Sequence, residues 1–187
     1  MRALVLVVAL SGIAHADIAH ADEPPTWRAA PSIRPTLGKL AIAGGGLAAA
    51  CFTGAAITST SDDPDDRDDA RGFLGVGIMS GAAGLTSLAH YIWVPDPITD
   101  EVARTRAHIT RVVGIGMAGV GMGLVLTGTL LLDHASDDVS YTLSYTGLGV
   151  TGISVALLVH SMAYREAAAS SVVVTPTGRG VALSGTF

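Results

Sequence analysis

His90 and His160 are the residues in this chain whose chemistry and setting conflict most, because each stands inside a long apolar stretch. An ionisable group at membrane depth is costly to place and is a functional candidate by default, as a proton carrier or metal ligand. Neither histidine has an Asp, Glu or Cys within its stretch. Packing histidines held by hydrogen bonds are therefore the plainer expectation, and His90 and His160 stand as the only functional candidates. His90 adjoins Tyr91 near the end of its stretch, whereas His160 lies about one helical turn inside.

The other chemistry-bearing residues carry less. Cys51 is the single cysteine, so it forms no internal disulfide, and with no ligand spacing around it the expectation is a small apolar packing residue. The run Asp62-Asp63-Pro64-Asp65-Asp66-Arg67-Asp68-Asp69 offers hard oxygen ligands suited to Ca²⁺. It lacks the spacing and distal Glu of an EF-hand and holds Arg67 in its middle, so it is expected as a solvated acidic turn. Gly75-Val76-Gly77 begins a dinucleotide-loop pattern that Ser80 breaks, inside an apolar stretch. No nucleophile elbow, phosphate loop or zinc-protease helix occurs. The expectation is a protein that is not an enzyme, with no catalytic residue, metal or cofactor. A net charge of −5 argues against a nucleic-acid partner.

The elements that hold these residues are marked by the placement of charge. Charged residues make up 14% of the sequence, well below the roughly 25% of soluble domains. Four windows contain none: Leu40 to Ser61 (22 residues), Gly72 to Pro95 (24), Val112 to Leu132 (21) and Val139 to Tyr164 (26). About 20 apolar residues cross the roughly 30 Å hydrocarbon core, and a charge near its centre costs several kcal/mol. A soluble helix would keep a charged face at the helical period, and none of the windows offers one. Transmembrane helices are expected near 40–61, 72–95, 112–132 and 143–164, within a four-helix domain over 37–164.

Residues 1–21 read as a signal peptide: Arg2, the apolar run Ala3 to Leu10, then small-x-small sites that place cleavage after Ala16 or Ala21. Ile13 to Asp17 recurs as Ile18 to Asp22, which accounts for His15 and His20 without metal binding. An irregular, proline-rich lead-in is expected over 22–36. Asp96 to Arg111 is expected as a loop or short amphipathic helix between two hairpins.

Sliding the first half by 74 residues aligns Gly45 with Gly119, Thr53-Gly54 with Thr127-Gly128, Leu74-Gly75-Val76 with Leu148-Gly149-Val150, and Ser87 with Ser161, among others. The expectation is a duplicated hairpin running the same way through the membrane each time. Small residues recur four apart at Gly45 and Ala49, Gly77 and Gly81, Gly119, Gly123 and Thr127, and Gly152 and Ala156. Such stripes let helix backbones approach closely and predict a tight bundle or a homo-oligomer. Tyr91, Trp93, Tyr141, Tyr145 and Tyr164 stand near span ends, where interfacial aromatics belong.

The tail, 165–187, changes period: Val172 to Thr175, a turn at Pro176 to Gly180, then Val181, Leu183 and Phe187 on alternate positions predict a short β-hairpin. That closing alternation resembles the last strand of bacterial outer-membrane barrels over about seven residues, but the four long windows have no barrel alternation. The fold class expected is an all-α membrane protein of four transmembrane helices, as two duplicated helical hairpins, plus a short C-terminal β-hairpin.

Function follows only in outline. The expectation is a non-enzymatic integral protein of a bacterial cell envelope, in the inner membrane by the secretory route, with a structural or interaction role. Its partners are then the lipid bilayer, a second copy through the small-residue faces, and an envelope protein through the tail. The alternative is a small oligomeric transport or channel subunit with His160 facing the interior. One conflict stands within the sequence. A cleaved signal puts the linker bearing Arg104, Arg106 and Arg111 outside, whereas the positive-inside bias puts it in the cytoplasm.

Overall fold

The computed structural model describes residues 27–29, 32–61, 63–132, 134, 136–169, 172–177 and 180–185. The expected signal peptide lies outside the described residues. From 32 to 169 the chain is all-helical: α1 (Arg34–Thr58), α2 (Pro64–Trp93), α3 (Asp100–Leu130) and α4 (Asp137–Ala169). All four are long and apolar enough to cross a membrane.

Acidic residues start three of these helices, all but α1. Asp63 caps α2, its carboxylate accepting from the Asp65 amide at 3.0 Å, with Pro64 in the first turn and Asp65 and Asp66 beside it. Carboxylates satisfy and neutralise the positive end of the helix dipole, and proline's missing N–H is harmless there. Asp100 and Glu101 open α3, and Asp137 and Asp138 open α4. Most of the acidic run expected as a solvated turn is therefore helix. The linker expected over 96–111 is also mostly helix, because the turn ends at Thr99 and α3 runs from Asp100 directly into its apolar part. Ala103, Ala107 and Thr110 recur at helical spacing and are buried, which ties this segment to the body. α1 likewise takes Arg34, Pro35 and Thr36 from the expected lead-in.

The helices pack in the spatial order α1, α2, α4, α3, as an open row and not a closed bundle. Chain order puts the start of α1, the α2–α3 turn and the end of α4 at one end, here the basic end, and the other two turns at the acidic end. The largest buried apolar cluster sits at the basic end and joins Ile33, Leu37, Val94, Ile98, Ala103, Ala107, Tyr164 and Ala167. Tyr164, expected at an interface, is fully buried there. Arg34 braces the same end, donating to the Val94 carbonyl at 3.1 Å and standing 3.9 Å from Asp96. Outside the helical body the backbone forms three short extended segments, Trp27–Ala29 (β1), Val172–Thr177 (β2) and Gly180–Gly185 (β3), paired antiparallel in that order.

Candidate functional site

Between the helices the contacts are made by small residues, on stripes spaced by seven. In α3 the buried stripe is Gly114, Gly121 and Gly128; in α4 it is Ser140, Gly147, Ser154 and Ser161. The antiparallel pair sets Gly128 against Ser140, Gly121 against Gly147, and Gly114 against Ser154. A Cβ on Gly121 would lie 2.9 Å from the Gly147 carbonyl oxygen, and one on Gly147 would lie 2.6 Å from the Gly121 oxygen. Ser154 donates across the seam to the Gly114 carbonyl at 2.8 Å. The first hairpin closes in the same way, Gly44 on Gly84 and Gly77 on Cys51 and Phe52.

Four-residue spacing gives a different assignment for α3. Gly119, Gly123 and Thr127 are exposed, and a Cβ on Gly119 or Gly123 would meet nothing within 4 Å. That stripe faces out of the molecule. Gly81 and Gly152 do pack inward, on Ala48 and on the Met79 backbone.

The seam between α2 and α4 joins the two hairpins, and it carries both candidate histidines. Gly75 lies against Leu148, Gly149 against Ile78 and Gly152 against Met79. At its acidic end the Arg71 guanidinium lies 4.8 Å over the Tyr141 ring. Toward the basic end the rings of His90 and His160 meet with centroids 4.5 Å apart. His90 and His160 are 70 positions apart in sequence, and the α2–α4 contact brings them together.

Proton bookkeeping assigns their tautomers. The carbonyl of Thr86 can only accept, so His90 Nδ1, 3.0 Å away, carries a hydrogen. Ser87 Oγ lies 3.0 Å from the Ala83 carbonyl and 2.9 Å from His160 Nε2. Its single proton goes to the carbonyl, which has none to offer, so Nε2–H of His160 donates to Oγ. His160 Nδ1 is then a bare acceptor, buried without a hydrogen-bond partner among the described residues. Arg106 of α3 stands near both His90 and the Tyr164 hydroxyl.

A serine hydroxyl 2.9 Å from an imidazole nitrogen has the spacing of a nucleophile and its base. Here the second ring nitrogen meets no carboxylate to orient it, and Ser87 is 2% exposed. Cys51 lies apart, on the α1–α2 seam. The acidic residues of early α2 face solvent, with Asp68 paired to Arg71 at 2.9 Å. Among the described residues no group of three or more His, Cys, Asp and Glu could hold a metal ion. Sequence reasoning missed Ser87 and Ser154; the seven-residue spacings of Ser80 and Ser87 on α2 and of Ser140, Gly147, Ser154 and Ser161 on α4 are the available signal. Comparison with protein-family models, curated proteins and solved structures gave no match.

Proposed function

We propose that this chain is a non-enzymatic integral membrane protein of the bacterial cell envelope with a structural or interaction role. The observation that supports this is an inverted surface. Ile42, Leu85 and Leu130 are 77%, 69% and 74% exposed, while Ser87, Ser140, Ser154 and His160 are fully buried or nearly so. Water would penalise so large an apolar exterior, whereas lipid favours it and favours polar, small-residue seams inside. Flotation with vesicles and resistance to carbonate extraction test the reading; release into the carbonate supernatant would sink it.

Finer parts of the proposal have their own tests. Residues 1–21 act as a signal peptide on the secretory route to the inner membrane, and N-terminal sequencing of the mature protein detects the cleavage. Alkaline phosphatase activity fused at Asp62 to Asp69 would count against a cleaved signal. The repeat reflects a duplicated hairpin, and the tail forms a β-hairpin that leans on an envelope partner. A lone hairpin is marginal in water and gains from a neighbour's edge.

The contact of half-buried His90 with fully buried His160 favours a second reading, a small oligomeric transport or channel subunit. Buried ionisable groups in membrane helices often mark such paths. Liposome flux that vanishes in His160→Ala would support it, and no flux in the wild type would remove it.

A further inference from the structure

Because α3 begins at Asp100 and continues unbroken into its apolar part, residues on both sides of the membrane boundary share one face. Arg104, His108, Arg111, Ile115, Gly119, Met122 and Leu126 follow the helical period, and every one of them is exposed. The top of this stripe is cationic and the rest apolar. The changeover falls at Arg111, immediately before the charge-free window that opens at Val112. Below it the surface is hollow: a Cβ on Gly116, Gly119 or Gly123 would meet nothing within 4 Å, and Val112, Ile115, Val120 and Met122 stand around that space at 55–60% exposure.

We propose that this stripe is a binding site for an anionic glycerophospholipid. The phosphate lies between Arg104 and Arg111, with His108 between them, and an acyl chain follows Ile115 into the glycine hollow toward Met122. Charge complementarity selects this occupant. Arg104 and Arg111 are about 10 Å apart along the helix, and their long side chains can reach toward one headgroup level while their stems stay against apolar surface. Guanidinium forks match phosphate oxygens in pairs. Glu101, a turn further out than Arg104, is the nearest carboxylate on α3 and leaves the cations in excess. Arg106 turns to the other side, toward Tyr164.

The site rests on the membrane reading, so its test uses full-length protein already shown to float with vesicles; failure to distinguish lipids then leaves membrane residence intact. The protein in mild detergent is mixed with equal amounts of phosphatidylglycerol and phosphatidylcholine, and retained lipid is counted by native mass spectrometry. The wild type is expected to keep phosphatidylglycerol preferentially. Arg104→Gln with Arg111→Gln should weaken retention about thirtyfold, taking about 1 kcal/mol per basic residue and tenfold per 1.4 kcal/mol. Gly119→Leu fills the hollow without changing charge and should also lower retention. Lys39→Gln, on α1 at the opposite edge of the row, should not. Equal retention of the two lipids, loss with Lys39→Gln as large as with the arginine pair, or a dimer that Gly119→Leu abolishes would each overturn the proposal, the last by showing that a second copy covers the stripe.

Discussion

Ser87 carries one hydroxyl proton and faces both a carbonyl oxygen and an imidazole nitrogen, and this settles much of the chemistry at the α2–α4 seam. Removing the hydroxyl leaves the Nε2–H of His160 buried beside nothing that accepts. Ser87→Ala should therefore cost about 1 kcal/mol, the scale of a hydrogen bond between membrane helices. Replacing both partners by apolar groups removes the stranded donor, so Ser87→Ala with His160→Leu should cost less than the two single changes added together. Reversible unfolding in mixed micelles, read by circular dichroism, measures the cycle, and strict additivity would deny the bond. The two histidines were legible as candidates because each is a polar group in a charge-free stretch. Their contact was not legible, since nothing local to residue 90 or 160 says that α2 lies beside α4.

Among the elements, the seams turn on glycine in two opposite senses. Gly121 cannot accept a methyl group without moving the Gly147 carbonyl and the Thr151 amide, each 2.9 Å from the new atom. Gly121→Ala should lose about 1–3 kcal/mol, as other overpacked interiors do. Gly119→Ala meets open space and should be neutral or slightly stabilising, because alanine is the better helix former by up to about 1 kcal/mol. Thermal denaturation of the two variants side by side would check the contrast, and equal losses would refute the assignment of faces. Membrane spans were readable from charge-free windows because bilayer thickness fixes their length. Helix ends are less so: the acidic runs have the composition of loops, although Asp63-Pro64 and Asp137-Asp138 are also the residues that open helices. Gly119, Gly123 and Thr127 mislead for a related reason, since spacing identifies a face without saying what lies opposite.

At the scale of the molecule, the row order α1, α2, α4, α3 separates α1 from α3 and leaves both sides of the row to lipid. In a Cys51→Ser background, cysteines at Gly75 and Leu148 should be joined within one chain by a short thiol-reactive crosslinker, since Gly75 packs directly against the Leu148 side chain. Cysteines at Ile42 and Ile115, on the outer helices, should not. Intramolecular linkage of the second pair, seen by gel mobility, would mean that the row closes into a bundle. No pattern along the chain encodes this order, because it depends on which of several small-residue faces wins the partner.

The same row has a consequence for assembly. Each hairpin zips along its own small-residue seam, and α2–α4 joins units whose chain connection is the short turn over 94–99. The connection can therefore be cut. Fragments 1–97 and 98–187, produced together in one membrane, should insert separately and associate, recovered as a complex by a tag on either piece. His160 would then act as an address, directing the second half onto the first, and His160→Ala should lower the yield of the reunited protein more than it lowers that of either fragment.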